Sequence, residues 1–112
     1  TYVLTEHVRD SGRLLIEDAV HAYSQKQAQT WGIHDRGVIA PGYAADLAIF
    51  DLAELEHPEN IIARDLPCDS WRYTKPAPGF RATIVNGVPT WLEGGLTGQK
   101  PGGFLDPTAR PR

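Results

Sequence analysis

Residues 82–88, Ala82-Thr83-Ile84-Val85-Asn86-Gly87-Val88, constrain this chain more than any other stretch. Asn and Gly both accept the positive φ of a type I′ turn, so Asn86-Gly87 between two apolar runs predicts a hairpin with arms at 81–85 and 88–91. Pro89 lacks a ladder donor and must turn its amide side to an edge or a non-bonded position. Earlier, Leu47, Ala48, Ile49 and Phe50 form an unbroken apolar run between Asp46 and Asp51. That pattern predicts a strand at 46–51 covered on both faces. Val38-Ile39 reads as a further short strand. Pro41-Gly42 reads as a turn, with Pro presetting φ and Gly supplying φ > 0.

Upstream of Gly37 the period is helical. Tyr2, Val3, Leu4, His7 and Val8 share one face, and Ser11-Gly12 is a helix stop. Leu15, Ile16, Ala19, Val20, Ala22 and Tyr23 recur at three and four residues and predict a second helix over 15–23. Ser24 followed by Gln27 matches a capping box and starts a short third helix at Gln25. Trp31 closes its apolar face, and Gly32 ends it. Residues 52–79 are irregular: a helical turn at 52–56, a break at His57-Pro58-Glu59, a short strand or turn at 60–64, then a Pro-punctuated loop carrying Trp71 and Tyr73. Helices first and hairpin strands later give an α+β class.

With 112 residues the chain cannot form a complete eight-stranded α/β barrel, which takes about 250. A net charge of −3 without a basic block points away from nucleic acid and anionic membranes as partners. No run approaches the roughly twenty apolar residues needed to span a bilayer, and the first ten residues do not read as a signal peptide. The one cysteine, Cys68, cannot close an internal disulfide. It reads as a buried or incidental thiol and suits a reducing cytoplasm. The absence of Met is consistent with a chain cut from something longer.

The run Arg36-Gly37-Val38-Ile39-Ala40-Pro41-Gly42-Tyr43-Ala44-Ala45-Asp46-Leu47, read with the Val85-Asn86-Gly87-Val88 hairpin, resembles the C-terminal signature of metal-dependent amidohydrolases. Ile16-Glu17-Asp18-Ala19-Val20 and Gly32-Ile33-His34-Asp35-Arg36-Gly37 resemble the last helices of their barrels. The tail Thr97-Gly98-Gln99-Lys100-Pro101-Gly102 resembles the terminal motif of N-acyl-D-amino-acid deacylases, the D-aminoacylase type. Dihydroorotase-like, urease-like and deaminase-like relatives share much of the same pattern. The resemblance implies closing helices of a (β/α)8 barrel at 1–36, part of a small β-sandwich at 37–98 with an irregular loop at 52–79, and a partly disordered tail at 99–112. It implies a parent enzyme that hydrolyses an amide C–N bond with metal-activated water, with zinc as the metal and ligands upstream of residue 1.

Within the chain no residue is assigned a catalytic, cofactor-binding or metal-ligating role. His7, His21, His34 and His57 contain neither a His-x-His nor an i, i+4 pair, so they match no local metal motif. His34-Asp35 reads as a polar turn, since adjacent side chains diverge. Asp46 is expected to be structural, accepting backbone hydrogen bonds where the Pro-Gly turn enters the strand. The glycines around Thr97 and Lys100 lack the order of a phosphate-binding loop, and Trp31, Trp71, Tyr73, Phe80 and Trp91 read as core or interface aromatics. The expected partner is the remainder of the parent polypeptide, with self-association through exposed strand edges in its absence. The competing readings are a free-standing module for protein contacts and a small enzyme using Cys68 or a His-carboxylate pair.

Overall fold

The computed structural model describes residues 1–93, 95–106 and 108. The N-terminal helix, Val3–Asp10, is wound as a π-helix, ending with the Ser11 amide donating to the Glu6 carbonyl at 3.1 Å. Thr5 is buried on it and returns its hydroxyl to the Tyr2 carbonyl at 3.1 Å. Gly12 then takes φ +59°, as the stop at Ser11-Gly12 requires. Helix α1 spans Ile16–Tyr23, with Glu17 and Asp18 at its positive end and His21 in its last turn. Ala19 is its buried residue.

Helix α2, Gln25–Thr30, follows without a linker, which overturns the expected capping box. Ser24 ends one helix and begins the next, and its single hydroxyl turns back to the Val20 carbonyl at 2.5 Å. Its φ of −117° and ψ of −81° are not the extended geometry a cap needs. Gln27 likewise reaches back to the Ala22 carbonyl, at 3.2 Å. The other end follows the sequence: Gly32 takes φ +70°, its amide bonds the Gln29 carbonyl, and the Ile33 amide bonds that of Ala28. These two bonds are the Schellman pair. Trp31 does not close an apolar face, being 69% exposed.

Val38-Ile39 forms no strand: no neighbour pairs with it, and Ile39 is 90% exposed. The Pro41-Gly42 turn does form, with the Tyr43 amide on the Ala40 carbonyl at 3.1 Å and Gly42 at φ +86°. A four-stranded antiparallel sheet follows. In order across the sheet, its strands are β1 (Leu47–Phe50), β4 (Phe80–Val85), β5 (Val88–Leu92) and β6 (Gly95–Leu96). Asn86 and Gly87 take φ +48° and +78°, the turn their sequence predicts. Pro89 lies opposite Ile84, where the β4–β5 register shifts, so a bulge in an inner strand accommodates it. Strand β1 lies at the sheet edge with Ala48 and Ile49 exposed, correcting the expectation of cover on both faces.

Inside 52–79 the expected loop around Trp71 and Tyr73 is partly a ribbon, β2 (Ile61–Ala63) against β3 (Arg72–Thr74). Trp71 and Tyr73 meet edge to face at 5.3 Å. Of the helical turn expected at 52–56, residues 52–54 form a turn, with Asp51 accepting from the Ala53 amide at 2.9 Å. It delivers Leu55 to the interior, where that side chain is fully buried. Gly79 fits against this turn because it has no side chain: a Cβ there would lie 2.6 Å from the Leu55 nitrogen. Arg9 ties the π-helix to the same turn through the carbonyls of Leu52, Ala53 and Leu55, the last at 2.5 Å. Arg81 ties it to the sheet by binding Glu54 and Glu93.

The interior is thin. Among the described residues the buried apolar side chains are Ala19, Ala28, Leu55 and Ala82. The radius of gyration is 16.2 Å, against about 13 Å for a compact chain of this length. A groove of about 870 Å³ lies open between the helices and the sheet, lined by Tyr2, Val20, Tyr23, Val38, Leu47 and Phe50 among others.

Candidate functional site

The charged residues of the central motif converge on one junction. The chain from α2 brings Arg36 beside the start of β1, where the Nε of Arg36 donates to Oδ2 of Asp46 at 2.6 Å. Its Nη1 donates to Asp35 at 2.7 Å, and its Nη2 to Oδ1 of Asn86 at 3.0 Å. Oδ1 of Asp46 accepts the Asn86 amide at 2.7 Å, and Nδ2 of Asn86 donates to the Pro101 carbonyl at 2.9 Å. The Gly87 amide completes the set on the Ala45 carbonyl at 3.0 Å. One planar guanidinium thus joins its own segment to two others, a task its fork geometry suits.

The Arg36 side chain is 16% exposed and that of Asp46 is 32% exposed. The backbone bond from Asn86 holds the Asp46 carboxyl below the usual carboxylate range, with Arg36 adding to this and desolvation opposing it. For Arg36, burial opposes the charge but the bonds to Asp46 and Asp35 outweigh it, so its already high pKa rises further. Asp46 therefore accepts a backbone hydrogen bond as the sequence suggested, although the donor is the hairpin rather than the Pro-Gly turn. Gly37 makes room for the junction: at φ +83°, a Cβ there would lie 2.9 Å from the Ser24 carbonyl group.

The other residues singled out in the sequence lie away from this junction, although His7 and His57 share a contact with Tyr2. Asp35 pairs with Arg36 on its other side in sequence from His34. His7 stacks edge-on to Tyr2 at 5.4 Å, and Tyr2 also meets His57 at 5.1 Å. Nε2 of His57 lies 3.0 Å from Nζ of Lys75. His21 lines the groove between helices and sheet. Cys68 is a free, exposed thiol in the turn Pro67–Asp69, so it is not buried. The segment around Thr97 is a strap along β5, with the Thr97 amide on the Thr90 carbonyl and the Thr97 hydroxyl on that of Pro89. Of the tail at 99–112, which was expected to be partly disordered, residues 107 and 109–112 lie outside the described residues. Arg36 and Asn86 were not singled out as partners of Asp46, although all three belong to the recognised motifs.

Among the described residues no group of three or more His, Cys, Asp and Glu side chains is placed to hold a metal ion, and no helix is long and apolar enough to cross a membrane. No solved structure matches the chain. The D-aminoacylase of Alcaligenes xylosoxydans xylosoxydans is 34% identical over 113 residues, and the N-acyl-D-aspartate deacylase of the same organism 33% over 111. Each alignment covers 96% of this chain and 20% of the relative, so the chain spans about a fifth of their length. The adenine deaminase of Deinococcus radiodurans is 47% identical over 47 residues, covering 42% of the chain and 8% of that protein. The profile described as "Amidohydrolase family" matches residues 2–91, and with these D-aminoacylase-like relatives it shows that the chain belongs to the amidohydrolase family.

Proposed function

We propose that this chain is the C-terminal structural portion of a metal-dependent hydrolase acting on amide bonds, with N-acyl-D-amino acids as its substrates. The observation that carries this reading is the alignment with the D-aminoacylase and the N-acyl-D-aspartate deacylase over 96% of the chain. The junction supports a structural role, because the motif's charged side chains bind one another. In the parent, 1–36 would contribute closing helices of a (β/α)8 barrel, and the sheet part of a small β-sandwich. The remainder of the polypeptide would cover the groove and the edge of β1.

The zinc that the resemblance implies does not fit the donors present. Asp35 and Asp46 are bound by Arg36, while Glu54 and Glu93 are bound by Arg81. No step of hydrolysis is assigned to these residues, and the ligands are expected elsewhere in the parent. The free Cys68 thiol suits a reducing cytoplasm. Elemental analysis of the purified chain, with deacylase assays on an N-acetyl-D-amino acid in added zinc, tests the proposal. Neither stoichiometric metal nor turnover is expected. One bound metal with turnover would overturn the reading.

A further inference from the structure

Asn86-Gly87 carries a latent reaction of its own. In an Asn-Gly pair the glycine nitrogen has no neighbouring side chain to shield it, and it can attack the side-chain amide carbon one residue back. For this pair, the Gly87 nitrogen would form a bond to Cγ of Asn86 and give up its proton. The Cγ–Nδ2 bond would break, and ammonia would leave with that proton. Water would then open the resulting succinimide at either carbonyl, giving aspartate or isoaspartate without any oxidant or reductant.

In the folded chain every group that must move is held. The attacking Gly87 nitrogen donates to Ala45, Oδ1 of Asn86 accepts from Arg36, and its Nδ2 donates to Pro101. The Asn86 amide is fixed by Asp46. Attack requires Cγ to swing toward the Gly87 nitrogen, which breaks the bonds to Arg36 and Pro101 together.

We propose that Asn86-Gly87 is a spontaneous deamidation site that the Arg36–Asp46 junction holds shut, so that lasting release of the junction is converted into an irreversible covalent change. The change is one-way in structure as well as in chemistry. An ionised aspartate at 86 has no proton to donate to the Pro101 carbonyl and sets carboxylate oxygens against it. It also adds a third carboxylate around Arg36, beside Asp35 and Asp46. Isoaspartate puts an extra methylene into the backbone and destroys the type I′ turn.

The test incubates the 112-residue chain under native conditions, the same chain unfolded in urea at the same pH and temperature, and the Arg36→Lys variant under native conditions. Peptide mass mapping and isoaspartyl methylation read conversion at Asn86. Lysine keeps the charge but cannot reach Asp46 and Asn86 with one ammonium. The unfolded chain is expected to convert fastest and the native chain slowest. Arg36→Lys, folded by circular dichroism, is expected to convert at least about tenfold faster than the native chain, the factor for about 1.4 kcal/mol of opening free energy. Equal rates in the native and urea-unfolded chain would overturn the proposal. So would a folded Arg36→Lys that converts at the native rate. If Arg36→Lys fails to fold, Asp46→Asn, which loses the ion pair while retaining an acceptor for the Asn86 amide, is held to the same two outcomes.

Discussion

Asp46 and Asn86 stand forty residues apart, yet the backbone amide of Asn86 donates to Oδ1 of Asp46 at 2.7 Å. The bond joins the start of β1 to the turn between β4 and β5, and Arg36 braces it from the helical side. Arg36, Asp46 and Asn86, all from the two motifs singled out in the sequence, meet here.

Removing the carboxylate tests that relationship. Asp46→Ala is expected to destabilise the chain by about 1–2 kcal/mol, since it leaves the Asn86 amide and the Nε of Arg36 without their acceptor. Asp46→Asn, which retains an oxygen for the Asn86 amide, is expected to lose less. Urea unfolding midpoints measure both, and an unchanged midpoint in Asp46→Ala would count against the structural role.

Acid should weaken the same junction. The folded-state pKa of Asp46 is lowered, first by the Asn86 bond, so its contribution is fully present above the ordinary carboxylate value of about 3.9. It is lost as pH falls below that value and through the lower folded-state pKa. Stability measured from pH 6 downward, a range that begins about two units above that value, should decline more steeply in the native chain than in Asp46→Asn. Parallel curves would remove Asp46 from the acid response.

Two glycines separate backbone conformation from close approach. Gly42 takes φ +86° in open space, so Gly42→Ala should cost about 1–2 kcal/mol from the left-handed backbone alone. Gly79 has the same φ, and a Cβ there would also run into the backbone at Glu54 and Leu55. Gly79→Ala should therefore cost clearly more, by displacing the turn that buries Leu55. Thermal unfolding of the two variants compares them directly, and equal losses would refute the role of close contact.

The open edge of β1 predicts association. With Ile49 exposed and no described strand on its outer side, the isolated chain is expected to self-associate with increasing concentration. Ile49→Lys should shift it toward monomer in sedimentation velocity. A native chain that stays monomeric throughout the accessible concentration range would contradict this.

Local chemistry made much of this fold legible. The Asn86-Gly87 hairpin, the Pro41-Gly42 turn and the Gly32 helix stop follow from which residues tolerate positive φ. Elements that depend on neighbours were read less well. Ser24 looked like a cap, but two abutting helices compete for its hydroxyl. Leu47 to Phe50 looked like a fully covered strand, yet its Ala48 and Ile49 are exposed in this chain. The ribbon pairing Ile61–Ala63 with Arg72–Thr74 was only half legible, because its register depends on the turn at Cys68 and Asp69, where both residues take positive φ without being glycine. At the junction, Asp46 was identified as a structural acceptor, but spacing alone could not show that its donor lies in the hairpin.

The most direct test is a double-mutant cycle between Arg36 and Asp46. Urea unfolding of the native chain, Arg36→Ala, Asp46→Ala and the double variant should give a favourable coupling of about 1 kcal/mol, with the double variant little worse than either single one. Strictly additive losses would mean that the two residues do not act together.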